Sequence, residues 1–347
     1  MMNGHPGPAG RALRTIGLAG AVFGLVGLAT SAAAHEPVSP IPEERLPIDF
    51  DLAKVDAQQA EVSQMLALQY VSALEPSADT TQIEQSGPQN ASSHVSFGRQ
   101  MGSIKWEIGL AAAWMTGTNI AKVSKEGADG FRFKDEGWFG DDTTNLGIDK
   151  LTHAWNSYWI TDAIAARIRH KTGAENAALP AAAVGMSLML YSEMWDAFKK
   201  SSGFSVQDLT MNAAGAGFSV LRNSVPGLKE KLDFRLLLMP NSDIYTPTGV
   251  RHFRQMRYLF ALKLAGFRGM EDSPFRFVEL HAGYRATGFT AAEERRGEPR
   301  KQRPFVGIGL NLNELFFRNA HGWAGKSANV ALQYLQVPYT AYHAEVE

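Results

Sequence analysis

Three segments of the chain carry polar side chains paired one helical turn apart: Asp149 with His153, Glu193 with Asp196, and Asp208 with Asn212. Spacings of i,i+3 and i,i+4 put both members of a pair on one helical face. Their surroundings are apolar, since no charged residue lies from Asn176 to Ser192 or from Leu209 to Leu221. An acid bordering such a stretch is costly to bury alone, so it must be paired, protonated or metal-bound.

Several chemistries fit these residues. His153, Glu193, Asp196 and Asp208 offer one imidazole and three carboxylates to a divalent metal such as zinc, iron or manganese inside a helical bundle. A divalent metal is the only cofactor the pattern suggests. His153, Glu193 and Asp208 equally have the composition of a catalytic acid/base site, the imidazole positioned by a carboxylate. A structural reading is as good: caps and interhelical hydrogen bonds, with Asp149, Lys150 and Asn212 in a polar network and Lys150 neutralising an acid. Asp149 and Asp208 lie near expected helix N-termini, where an acid is favoured without any ligand. A site for a polar lipid headgroup is a further alternative. There is no Walker loop, nucleotide-binding glycine fingerprint, HExxH or GxSxG.

The elements that must position these residues follow from apolar periodicity. Ile104 to Lys122 predicts one helix, Gly147 to His170 a second, and Pro180 to Phe198 a third. Ser205 is a good N-cap with Asp208 three residues on, so a fourth helix is expected from Val206 to Arg222, ahead of Pro226. Its Ala213-Ala214-Gly215-Ala216-Gly217 run lets a neighbouring helix approach closely. Trp106, Trp114, Trp155, Trp159 and Trp195 fall in or beside these helices, as core or membrane-interface residues.

From about Leu232 the period changes to two. Tyr258 to Leu264, Val278 to Ala286, Val306 to Leu312 and Val330 to Tyr334 predict strands with one apolar and one mixed face. Glu293 to Arg303 is the expected hairpin loop. His281 is expected to be solvated on the mixed face, and Gly307 and Gly309 indicate close packing within a strand. Four or five strands are too few for a transmembrane barrel, so the expectation is a small antiparallel sheet packed on the helices or lying on a membrane.

The N-terminus reads as an export signal. Arg11 and Arg14 precede an apolar stretch from Ile16 to Ala29, and Ala32 and Ala34 form the small-x-small pattern, so cleavage is expected after Ala34. Pro37, Pro40, Pro42 and Pro47, followed by a Ser/Thr/Gln-rich stretch, predict a flexible arm with one helix over 56–73. The net charge is -1, which argues against a nucleic-acid partner. The chain has 0 cysteines, which excludes disulfides, thiol catalysis and the usual cysteine-attached lipid anchor.

The motif residues also carry a family resemblance. Asp149-Lys150-Leu151-Thr152-His153, Glu193-Met194-Trp195-Asp196, Gly203 to Asp208 and Asn212-Ala213-Ala214-Gly215 resemble, in order and spacing, the YfiM family of uncharacterised envelope proteins taken to be periplasmic lipoproteins. The likeness spans 149–217, and Phe305 to Leu312 with Val337-Pro338-Tyr339 resembles the tails of longer members. More distantly, the same order is similar to VanZ-like membrane proteins, although the arginine those place before the Asp208 motif is missing. The resemblance implies an envelope location and supplies no activity.

These readings combine into an α+β protein: a signal peptide at 1–34, an arm at 35–100, a four-helix module at 101–228 and an antiparallel β region at 229–347. The expected function is that of an exported cell-envelope protein, periplasmic or outer-membrane-associated, structural or lipid-interacting. Its partners are membrane lipid or an envelope component. The alternative is a metal-dependent envelope hydrolase or lipid-modifying enzyme using the same polar cluster.

Overall fold

The computed structural model describes residues 94–239, 253–320 and 322–346. The expected signal peptide and the helix over 56–73 lie outside the described residues. The fold is α+β, as expected, with helices followed by a six-stranded, mostly antiparallel sheet.

The helices are α1 (Phe97–Ser103), α2 (Lys105–Glu126), α3 (Ile148–Thr172), α4 (Ala178–Asp196), α5 (Val206–Ser224) and the short α6 (Leu228–Lys231). Four match the expected helices to within a few residues at most ends, and α1 adds a turn where the arm was expected to end. α3 is the centre of the module. Ile148, Tyr158, Ile160, Ala165 and Ile168 are all buried, so the helix has partners on nearly every side. α5 runs parallel to α3, with Asp208 beside Lys150 and Ser219 beside Asp162. α4 runs antiparallel to it, with Gly185 against Thr161 and Glu193 near His153. α2 is less deeply packed, and its Trp106, Leu110 and Ile120 are exposed. Among the described residues no helix is long and apolar enough to cross a membrane.

The sheet comprises β1 (Leu232–Leu238), β2 (Met256–Lys263), β3 (Val278–Thr287), β4 (Lys301–Leu310), β5 (Leu335–Gln336) and β6 (Ala341–Glu345), in the order β5-β1-β2-β3-β4-β6. All neighbours are antiparallel except β1 and β5. The expected strand at Val330 to Tyr334 is corrected. Trp323–Ala331 is a helix, a turn follows, and the strand is only Leu335–Gln336. Alternation of Val330, Leu332 and Tyr334 fits a helix end as well as a strand over so few residues. The expected loop at 293–303 contains a short helix, α7 (Ala291–Arg295). Its capping box joins Thr290 to the buried Glu293, and β4 starts at Lys301.

The two edge strands are joined by only four residues, Val337 to Thr340. A flat six-stranded sheet would hold its edges about 24 Å apart, whereas this connection spans at most about 18 Å. The sheet therefore curls, and Arg235 of β1, Leu310 of β4 and Leu335 of β5 line one small cavity.

The curl buries the mixed face, where Leu237, Leu259, Ala261 and Phe305 form a small apolar cluster among charged residues. Asp233, Arg235, Lys263, Glu279 and His281 share the concave face and are all buried. Arg235 donates to both oxygens of Glu279 at 2.7 and 3.0 Å, and Lys263 contacts Asp233 at 2.9 Å. His281, expected to be solvated, is 3% exposed and sits 3.0 Å from His343 across β4. Gly309 makes room for it: a Cβ there would fall 2.4 Å from the imidazole. The apolar face is convex. Phe234, Leu236, Tyr258 and Ala286 pack on the helices. Farther along the same face, Phe260, Leu280, Val306, Ile308 and Leu310 are 42–59% exposed and Tyr342 is 77% exposed.

Candidate functional site

Close helix packing builds the site. Gly215 of α5 lies so near α3 that its α-hydrogen faces the Ala154 carbonyl, bringing Asp208 beside the neighbouring His153. Asp208 is fixed from its own end of α5, where its backbone N–H donates to the Ser205 hydroxyl at 3.2 Å. α4 delivers Glu193 from the other side of α3.

Two adjoining groups result. In the first, the ammonium of Lys150, 1% exposed, lies 2.6 Å from Asp208, 2.8 Å from Glu136 and 3.0 Å from Asp149. Burial works against this ammonium, but Asp149, Asp208 and Glu136 more than offset it and keep its proton firmly bound. Glu136 is in turn held down to about 2, burial being outweighed by Lys150 and by Lys134.

In the second, His153 stands between two buried carboxylates. Its Nδ1 is 3.6 Å from Glu193 and its Nε2 is 3.7 Å from Asp208, both beyond hydrogen-bond range. One donor atom from each of His153, Glu193 and Asp208 lies within 4.8 Å of the others. Glu193 is 2% exposed, its Oε1 has no hydrogen-bond partner among the described residues, and burial reinforced by Asp208 and Asp196 pushes its carboxyl up to about 8. Burial disfavours charge on His153, yet Asp208 and Glu193 raise it to about 9. Burial likewise raises Asp208 against the pull of His153 and Lys150. The environment thus favours added positive charge on both imidazole and carboxyl. Such a site suits proton exchange or a cation, the two chemistries expected from the residue types.

The remaining expected residues divide. Asp149 and Lys150 both lie in the first group. Asn212, one turn beyond Asp208, is 0% exposed, and neither amide atom has a hydrogen-bond partner among the described residues. Asp196 is not brought into the trio; its carboxylate pairs with Lys199, three residues on. Two features lie outside the expected set. Glu136 comes from the loop before α3, where no periodicity marks it. Asp162 accepts from Ser219 at 2.5 Å, from Arg222 at 3.0 Å and from Tyr334 at 2.9 Å. Arg222 also reaches Asp233 of β1 at 2.5 Å, which ties the helices to the sheet. An aspartate inside the otherwise uncharged middle of α3 was the available signal.

Residues 135–224 match the sequence model of a family described as predicted periplasmic lipoprotein, a domain of unknown function (DUF2279). The matched span contains Glu136, Asp149, Lys150, His153, Glu193, Asp208 and Asn212, and it ends before the sheet. No curated protein and no solved structure matches the chain.

Proposed function

We propose that this is an exported envelope protein that holds to a membrane through the convex face of its curled sheet, without a lipid anchor. The observation that carries the reading is the curled sheet: charged residues are buried on the concave face, while Phe260, Leu280, Val306, Ile308, Leu310 and Tyr342 form one contiguous exposed apolar surface. A water-soluble sheet gains stability by burying that surface, at about 25 cal/mol per Å². Acyl chains supply the same gain. The family description supports a periplasmic location, and the 0 cysteines remove the anchor that such proteins use, so attachment needs another device. The signal sequence, with cleavage after Ala34, and the YfiM likeness agree with this assignment. Exposed Leu179, Leu190 and Met194 on α4, with Trp106 and Leu110 on α2, offer further apolar contact.

Flotation of the mature full-length protein with phosphatidylethanolamine/phosphatidylglycerol vesicles tests the reading. The protein is expected to float with the vesicles, and the double variant Val306→Glu/Ile308→Glu to stay at the bottom with unchanged circular dichroism. A wild-type protein that stays at the bottom, or a folded double variant that still floats, overturns it.

A further inference from the structure

We propose that His153, Glu193 and Asp208 bind one divalent transition cation, of the zinc or manganese class. The two adjoining groups carry the argument. Around Lys150, three carboxylates already share an ammonium at 2.6–3.0 Å. Around His153 the same density of acid has no such partner for Glu193: among the described residues, no lysine or arginine lies within salt-bridge distance of it. Its Oε1 is buried with no hydrogen-bond partner among the described residues and faces only the His153 imidazole, at 3.6 Å, an arrangement that costs free energy unless a closer cation meets it.

The three donor atoms lie within 4.8 Å of one another, too loose for hydrogen bonds and within reach of a shared ion. Metal–nitrogen and metal–oxygen bonds of about 2.0–2.2 Å place ligand atoms roughly 3–3.5 Å apart. One imidazole nitrogen ligates one ion, so only one of the 3.6 and 3.7 Å contacts, Nδ1 to Glu193 or Nε2 to Asp208, is kept, and the three donor atoms, now within 4.8 Å of one another, close by roughly an ångström to reach that range. Charge agrees as well. Glu136, Asp149, Glu193 and Asp208 face Lys150 and Lys134, which leaves two negative charges for a dication to balance when the imidazole is neutral. One imidazole with two carboxylates is a donor set for borderline ions. Three protein ligands leave coordination positions free, and the His153 side chain, 14% exposed, gives the site a solvent-facing side. The buried amide of Asn212 lies one turn beyond Asp208 on the same face of α5. The inference is independent of membrane attachment.

The test uses the mature full-length protein, stripped with chelator and titrated by calorimetry with zinc chloride and, separately, manganese chloride. One equivalent of at least one ion is expected to bind, Asp196→Asn to leave the affinity unchanged, and Glu193→Gln to weaken it by more than about tenfold, the loss typical of removing even a supporting group at a metal site. Cobalt(II) added to the wild-type protein is expected to give d–d absorption bands of nitrogen/oxygen ligation, and this readout decides the matter if Glu193→Gln does not fold. Absence of stoichiometric binding, equal affinity in a folded Glu193→Gln variant, or a cobalt spectrum of the fully hydrated ion overturns the proposal and leaves the trio as a buried electrostatic cluster.

Discussion

Gly215 of α5 meets Ala154 of α3 so closely that a Cβ would stand 1.9 Å from the Ala154 carbonyl oxygen. Two residues farther along the same helix, a Cβ on Gly217 would meet no described residue within 4 Å. The contrast predicts opposite outcomes for one substitution. Gly215→Ala forces the helices apart and is expected to cost at least about 1–3 kcal/mol. Gly217→Ala, in a helix interior, is expected to stabilise by about 0.5–1 kcal/mol. Urea unfolding of both variants measures the difference, and equal effects would show that the α3–α5 contact is not tight.

Lys150 is the shared cation of three carboxylates and is 1% exposed. Lys150→Met keeps much of the side-chain volume and strands the acids, so a loss of about 3–5 kcal/mol is expected. Adding Glu136→Gln to that variant removes one stranded charge and is expected to restore part of the loss. A chemical denaturation series of wild type, single and double variants checks this; no recovery in the double would argue against shared neutralisation.

Arg222 bridges Asp162 of α3 and Asp233 of β1 at 3.0 and 2.5 Å, with its side chain fully buried. Asp233 is held below its usual range: burial opposes its charge, but Arg235, Lys263 and Arg222 prevail. Arg222→Leu removes the link between helices and sheet and is expected to cost about 3–5 kcal/mol, leaving Asp162 without its guanidinium partner. Hydrogen exchange is the informative measurement, with amides of both α5 and β1 expected to lose protection together. Loss confined to α5 would mean that the bridge does not couple the layers.

His343 is held down to about 4 by burial first, then by His281 and Arg257. Its imidazole stacks near Phe305, 4.4 Å between centroids. The sign follows from linkage. The unfolded chain takes this proton at about pH 6.5 and the folded chain only near 4, so the stability tied to neutral His343 is whole above about pH 6.5 and declines as pH falls toward 4. His343→Phe is expected to flatten that decline. Thermal unfolding of wild type and variant across pH 4–7 tests it, and parallel curves would assign the acid sensitivity to other groups.

The sequence determined the local features that repeat at short range. Helices α2 to α5 were legible because apolar period, the Ser205 cap and the flanking glycines are encoded within a few residues of one another. The convergence of His153, Glu193 and Asp208 was legible for the same reason, since an i,i+3 or i,i+4 pair beside an uncharged stretch has few places to go. The strand alternation in β2, β3 and β4 was equally plain.

Only the tertiary structure decided which partners those faces meet. Asp196 shares a helical turn with Glu193 but pairs with Lys199, because the chain leaves the helix there and brings the ammonium back. Glu136 enters the Lys150 group from a loop, where no period announces a residue's direction. Alternation marks two faces on a strand without saying which lies inside. Here the short Val337–Thr340 connection draws β5 and β6 together, so curvature encloses the charged face and leaves Phe260, Val306 and Ile308 outside. That choice belongs to the closure of the whole sheet, and no single strand contains it.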